Sequence, residues 1–408
     1  MKIFKNKNLP VAKRFALSFV NIFDIFHWEL SRFVIRLIEI LHRSPVLVPD
    51  KIIVMRNCFL GDFVVSIPAL RLLRQAFPKS RIIFLTSGSF EPSWRDKLQD
   101  NSMFDIEPGL IDEVVRFTGA DLRKSSSRAI LRQCLTGSGS TASLSLCYSA
   151  DGLRSRIKRI IMCWLLCIPF PIGLTCVKTL PFQGILNKWR RDRHDVQHQY
   201  EAALSSVHEF LRKTAHPIPK TAFGGARKIR TCNSKTLKIG LAPFSKQSAK
   251  QWPLQSFGDL VRLLKVEYDS HFYIYGSEAE KMMAVELENI IGEKKSVTSL
   301  CGVLLPNQLR GHLESVDLLI CLDSGPMHVA SLIGTPVVAV FPQITLHQFW
   351  RPWGSVNALV STQVDCAQCD TRNGLCPNTT NACVNNISVE QVFEEVKRLL
   401  AHIEKLQE

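Results

Sequence analysis

The sequence predicts an α/β protein built from two doubly wound domains that face each other across a cleft. Three observations carry this. The 408 residues suffice for two domains at roughly 150 residues each. Short apolar runs alternate with amphipathic stretches twice along the chain, on either side of a segment holding Pro217, Pro219, Gly224 and Gly225, and such alternation builds parallel sheets with right-handed crossovers. Residues 317–341, DLLICLDSGPMHVASLIGTPVVAVF, read as strand, tight turn, helix, turn and strand with almost every polar group at one point.

Composition narrows the class. With 46% hydrophobic and 21% charged residues the chain is globular. A net charge of +15 points to an anionic partner. No arginine-aromatic nucleic-acid motif is present, which sets nucleic acid aside and leaves a phosphorylated small molecule or an acidic membrane surface. Most of the thirteen cysteines lie singly in apolar segments, as Cys163, Cys167 and Cys321 do, which suits small buried hydrophobes in a reducing compartment. The N-terminus lacks a compact apolar core followed by a small-residue cleavage site, so no cleavable signal is expected.

In chain order, residues 1–47 form a basic extension. Phe15, Phe19, Ile22, Phe26, Leu30, Phe33, Leu37 and Leu41 recur at helical spacing, predicting one or two amphipathic helices that lie in a membrane interface or pack on the protein itself. Asp24, Glu29, Arg32 and Arg36 interrupt any span. A first domain with its linker is expected over 48–230. Its strands are predicted at 51–55, 81–86, 113–117 and 143–147, with a helix after Asp62. Residues 160–177 carry no charge, but Pro169, Pro171 and Gly173 break them into a buried helix ending near Cys167 and then a strand. A helix around 200–211 precedes the linker. The second domain, 231–408, is expected to alternate strands at 237–242, 272–275, 297–300, 318–322 and 337–341 with helices at 254–266, 278–290, 306–314 and 326–334, and to close on a C-terminal helix.

Ligands of such sheets bind beyond the carboxyl ends of the strands, so the polar loops there are the candidates. Asp323, Ser324, Gly325, Pro326, Met327 and His328 follow an apolar strand and open a helix. Free amides and the helix dipole at that end favour an anion, although the same residues also serve as a plain cap. Ser245, Lys246, Ser248 and Lys250 precede Trp252-Pro253; a lysine there neutralises a phosphate or belongs to a solvated basic loop. Gly61-Asp62 marks the corresponding loop of the first domain.

At these residues the chain resembles glycosyltransferase family 9, the ADP-heptose:lipopolysaccharide heptosyltransferases. The motifs are RNCFLGDFVVSIPALRLL, KQWP at 250–253, Gly276-Ser277 and DSGPMHVASLIGTPVVAVF, in that order, and the similarity runs over about residues 50–405, taking in His198 and Trp350-Arg351-Pro352. The resemblance implies a GT-B fold of two Rossmann-like domains with a nucleotide-sugar donor on the second and a lipopolysaccharide-core acceptor on the first. It implies an inverting transfer that needs no metal or other cofactor, with Asp62 as general base. A single displacement at an anomeric carbon requires one carboxylate to take the acceptor proton. The diphosphate leaving group requires electrostatic stabilisation, which Lys250, the amides at 324–327 and His328 can supply. Asp323 orients the turn or holds a sugar hydroxyl, and Glu278 or Glu280 meets the ribose.

Two departures from the family pattern stand out. Ala242-Pro243-Phe244 replaces the usual proline-glycine turn, and Asn57-Cys58 replaces small residues beside the proposed base. They leave the donor sugar more open than the reaction class. A non-catalytic nucleotide-sugar-binding partner and a GT-B sugar-nucleotide epimerase are the other classes compatible with the chain. Cys366, Cys369, Cys376 and Cys383 have spacing compatible with a structural zinc, with paired thiols or with buried free thiols. The expected setting is the cytoplasmic face of an inner membrane, with an anionic glycolipid as acceptor.

Overall fold

The computed structural model describes residues 48–57, 59–87, 103–146, 153–174, 198–219, 236–342, 347–354, 356–364, 376 and 380–406. The basic N-terminal extension, Cys366 and Cys369 lie outside the described residues.

The first half is a parallel four-stranded sheet. Its strands are β1 (Lys51–Met55), β2 (Arg81–Ser87), β3 (Glu113–Phe117) and β4 (Thr141–Ser145), in the order β3-β2-β1-β4. Val54 pairs with Phe84 on one side and Leu144 on the other. All three are buried, as expected of a strand covered on both faces. Between the strands run α1 (Leu60–Val64), α2 (Ile67–Ala76), α3 (Gly119–Arg123) and α4 (Ser125–Thr136), followed by α5 (Leu153–Leu166) and α6 (Gln199–Lys213). Pro68 in the first turn suits the start of α2, and α3 opens with a Thr118–Asp121 capping box.

Two expectations for this half change. The uncharged run does begin in a helix that stops at Leu166, but that helix is covered on one face only, and Ile157, Ile161, Trp164 and Cys167 are exposed. An absence of charge does not specify which face of a helix the sheet covers. The strand expected after it reduces, within the described residues, to one parallel bridge between Leu144 and Ile172.

The second half is a six-stranded parallel sheet of β5 (Leu237–Ala242), β6 (Ser270–Ile274), β7 (Val297–Ser299), β8 (Leu318–Leu322), β9 (Val337–Val340) and β10 (Asn357–Val360), in the order β10-β9-β8-β5-β6-β7. Helices α7 (Leu254–Glu267), α8 (Lys281–Ile291), α9 (Pro306–Leu313) and α10 (Gly325–Ile333) connect them. The short α11 (His347–Trp350) and α12 (Ala382–Asn385) flank the last strand, and α13 (Val389–Lys405) closes the chain. Ser388 caps α13 with its hydroxyl on the Gln391 amide. Gly334 ends α10 in the left-handed conformation at φ 79°, which glycine adopts without a Cβ penalty.

The cores do not divide as the sheets do. One apolar cluster includes Ile52, Val54, Phe63 and Phe84 of the first half together with Leu319, Met327, Val329 and Phe341 of the second. A second cluster, centred on Ile239, Trp252, Phe272 and Ile320, covers the other face of the larger sheet.

Candidate functional site

Each sheet places one topological switch at its carboxyl edge. From β1 the chain runs outward through β2 and β3 and then returns to β4 on the other side of β1. From β5 it runs through β6 and β7 and returns to β8 on the other side of β5. The loops after β1, β5 and β8 therefore emerge where ligands of doubly wound sheets bind. These three loops hold Asp62, Lys250 and residues 323–328.

The loop after β8 has an unusual start. Ser324 is the N-cap residue of α10, but its hydroxyl turns back to the Leu322 carbonyl at 3.3 Å and makes no side-chain cap. Asp323, also a capping type, accepts instead from Lys250 Nζ at 2.6 Å. This ion pair is largely removed from solvent, with side-chain exposures of 14% for Lys250 and 6% for Asp323. It joins the β5 loop to the β8 loop, and a buried carboxylate in that position needs such a partner. The first turn of α10 is thus left to backbone amides and the helix dipole, an arrangement suited to an anion.

Lys250 is held by a 3-10 turn, Ser248–Lys250, whose own amide donates to the Gln247 carbonyl at 2.9 Å. Trp252 anchors that turn from below: it is fully buried and its indole N–H donates to the Ile387 carbonyl at 2.9 Å. In the altered turn, Phe244 is buried against Gly276, where an added Cβ would stand 2.9 Å from the Phe244 ring and 2.7 Å from Cys301 Sγ. The missing side chain at 276 is what makes room for the phenylalanine.

The first half meets this turn directly. Helix α1 packs on α10. A Cβ on Gly61 would stand 2.8 Å from His328 Cδ2 and 3.5 Å from its Nε2, and a Cβ on Gly325 would stand 2.8 Å from Leu60 Cδ2. Each glycine thus admits a side chain of the other half. Asp62, next to Gly61, is half-buried and accepts from the Phe59 amide at 2.9 Å through Oδ2. Phe59 is exposed on the rim, and Lys246 of the β5 loop places its ammonium 4.6 Å from the ring centroid, within cation–π range. Asn57 ties the same loop to β2, accepting from the Ser87 amide and hydroxyl at 3.2 Å and 2.6 Å.

His328 is 3% exposed and its Nδ1 has no hydrogen-bond partner among the described residues. Trp353 stacks on it at 5.8 Å between centroids and Trp350 meets it edge-on at 5.8 Å. Burial lowers its pKa to about 4; nearby Asp323 opposes this, whereas His198 and Lys250 add to it. The imidazole is therefore neutral at ordinary pH. His198 is likewise neutral, its pKa lowered to about 4 chiefly by burial. Its Nδ1 accepts from the Tyr200 amide at 3.2 Å to cap α6, and its Nε2–H donates to the Arg351 carbonyl at 2.8 Å. The ring also meets Trp353 edge-on. Trp353 was not singled out by the sequence; a second tryptophan three residues after Trp350 was the available signal.

The remaining candidates have local partners. Glu280 closes a capping box with Ser277, accepting from its amide at 2.6 Å and its hydroxyl at 2.8 Å. Glu278 pairs with Lys281 at 2.8 Å. Met327 is buried in the shared core, so only its amide remains for a ligand. Of the cysteine cluster, Cys376 packs against the core to which Cys383 belongs. Among the described residues no group of three or more His, Cys, Asp or Glu could hold a metal ion.

Residues 168–379 match Glycosyltransferase family 9 (heptosyltransferase). The chain belongs to this family. Lipooligosaccharide heptosyltransferase 2 of Campylobacter jejuni is 29% identical over 219 residues, which cover 51% of this chain and 66% of that protein. Lipopolysaccharide heptosyltransferase 3 of Escherichia coli is 28% identical over 127 residues, 31% of this chain and 37% of that one. The match to the first of these family members thus spans slightly under two thirds of its length. Among solved structures, a family 9 glycosyl transferase of Veillonella parvula superposes with a TM-score of 0.61 at 17% identity, covering 88% of this chain and 99% of the other. The E. coli ADP-heptose lps heptosyltransferase II gives 0.57 at 18%, with coverages of 87% and 99%. At these identities the superpositions speak to the fold, which is the GT-B-type arrangement of this family.

Proposed function

We propose that the protein is an inverting heptosyltransferase that moves a heptose from ADP-heptose to the core of a lipopolysaccharide or lipooligosaccharide. The observation that carries this reading is the contact of the Gly61-Asp62 turn with the uncapped start of α10 at His328 and Gly325. The turn that carries the Asp62 carboxylate meets a helix end suited to an anion, and transfer from a diphosphate calls for both.

In this reading Asp62 takes the acceptor proton as the new bond to the anomeric carbon forms. Charge developing on the departing diphosphate is met by Lys250, held in place by Asp323, and by the amides of the first turn of α10. His328, neutral and wedged between Trp350 and Trp353, acts as a hydrogen-bonding group and not as a cation. No step calls on a metal, so transfer proceeds in excess chelator. The acceptor lies on the first half, and the enzyme works on the cytoplasmic face of the inner membrane.

The test is the release of free ADP from ADP-heptose with and without a heptose-deficient core acceptor. Release only with acceptor is expected. Asp62→Ala lowers the rate by at least about 100-fold while ADP binds normally. Acceptor-independent release, or a normal rate in Asp62→Ala, overturns the reading.

A further inference from the structure

Helix α5 has two unlike faces. Met162, Cys163 and Leu166 pack into a core with Ile53, Met55, Leu85 and Leu135. The opposite face carries Ile157, Ile161 and Trp164 at 41%, 48% and 70% exposure. Their spacing of four and three residues puts them in one stripe along the helix. Tryptophan is the side chain most costly to leave in water and the one that settles best at a membrane–water boundary.

The charge around the stripe favours an anionic partner. Helices α3, α4 and α5 hold seven Lys or Arg, with Lys124 an eighth between α3 and α4, and a single acid, Asp121. Arg156 turns inward to the Leu174 carbonyl and Arg159 is buried. Arg123, Lys124 and Lys158 are exposed, and Arg128 and Arg132 are half-buried. Asp121 is engaged in the cap of α3, accepting from the Thr118 amide and hydroxyl at 2.7 Å each. Arg132 fixes α4 to the end of α5, its Nε and Nη2 donating to the Leu165 carbonyl at 3.0 Å and 2.7 Å. The two helices are thus tied together, and α4 carries an exposed apolar side chain of its own, Ile130. Among the described residues no helix is long and apolar enough to cross a membrane.

We propose that this α4–α5 surface docks on an anionic lipid bilayer, with Ile157, Ile161 and Trp164 in the boundary between headgroups and acyl chains and the exposed Arg and Lys side chains on lipid phosphates. An apolar stripe flanked by cations is the combination that binds such surfaces, the apolar part supplying depth and the cations selectivity for negative lipid. Lys158 suits that position, since its aliphatic stem can lie along the apolar zone while the ammonium reaches the phosphates.

The test is flotation of the full chain with vesicles of phosphatidylethanolamine and phosphatidylglycerol, compared with vesicles of phosphatidylcholine alone. Preferential binding to the anionic vesicles is expected, and I161E/W164E weakens it at least tenfold with an unchanged circular dichroism spectrum and thermal midpoint. A second reading avoids any doubt about folding: brominated lipid quenches the tryptophan fluorescence of the wild-type chain, and Trp164→Phe removes most of that quenching. Undiminished binding by I161E/W164E, which would place attachment elsewhere in the chain, overturns the proposal. Equal binding to phosphatidylcholine overturns it too, as does a wild-type dimer that I161E/W164E dissociates without affecting vesicle binding.

Discussion

Gly61 lies against the imidazole of His328, so closely that a Cβ there would stand 2.8 Å from Cδ2. Trp350 and Trp353 pack on the same ring. Gly61→Ala therefore makes either the imidazole or the packing of α1 on α10 shift at the site. Overpacking of this kind costs about 1–3 kcal/mol, and the expected result is a lower thermal midpoint together with at least a tenfold loss of transfer. A Gly61→Ala protein with wild-type rate and midpoint would show that the contact is not needed.

The Lys250–Asp323 pair separates stability from binding. Lys250→Ala leaves a carboxylate buried beside α10, a change that costs on the order of 3–5 kcal/mol when a buried pair loses one partner. Lys250→Met combined with Asp323→Leu removes both charges, and replacement of a buried pair by apolar groups is often neutral. The double variant is thus expected to recover most of the lost urea stability but to bind ADP at least tenfold more weakly than wild type. Recovery of both properties would remove Lys250 from the donor site.

Acid should destabilise the fold through its histidines. His198 and His328 have pKa values lowered to about 4, against about 6.5 in an unfolded chain. Above pH 6.5 neither state binds the proton and the two residues are silent. Between 6.5 and 4 the unfolded chain takes up protons that the native one refuses, so stability falls as pH falls, by up to about 1.4 kcal/mol per pH unit for each histidine. Below 4 this contribution levels off. Urea unfolding of wild type and His328→Gln across pH 4–8 measures it, and identical slopes would contradict it.

A charged bridge spans the seam at some remove from the site. Arg310 on α9 donates to the Ile106 carbonyl at 2.9 Å and to Glu107 at 3.3 Å, and Glu107 is gripped from its own half by Arg71 at 2.5 Å. Arg310→Ala removes the crossing contact and spares the Arg71–Glu107 pair. With Arg310 partly exposed, the expected loss is only about 1 kcal/mol, shrinking further in high salt. Urea midpoints at low and high salt check it; a loss independent of salt would assign the role of Arg310 to packing.

Buried parallel strands were the most legible part of the fold. The bounds of β1, β3, β5 and β8 follow from the sequence alone, because each is a short stretch dominated by apolar residues, purely so in β8 and with a charged residue or two in the others. β10 was missed: Asn357–Val360 is four residues long with only Ala358 and Val360 buried, too little pattern to stand out. Helix α10 starts at Gly325, one residue before the proline that signals it. At the site, residue types were legible and partners were not. Asp323 and Lys250 lie 73 positions apart, and only the β5–β8 adjacency, a property of strand order, makes them neighbours. His328 was marked by its motif, whereas its lost basicity depends on burial by Trp350 and Trp353, which no local spacing encodes.

The core shared by Ile52, Phe84, Leu319 and Met327 bears on how this chain can be taken apart. Cut in the linker and produced as two fragments, each piece would carry a sheet whose inward flank was shaped to be covered by the other piece. Such fragments would be expected to be sticky when alone and soluble when produced together, so complementation in trans, and not independent function of either piece, is the outcome this architecture favours.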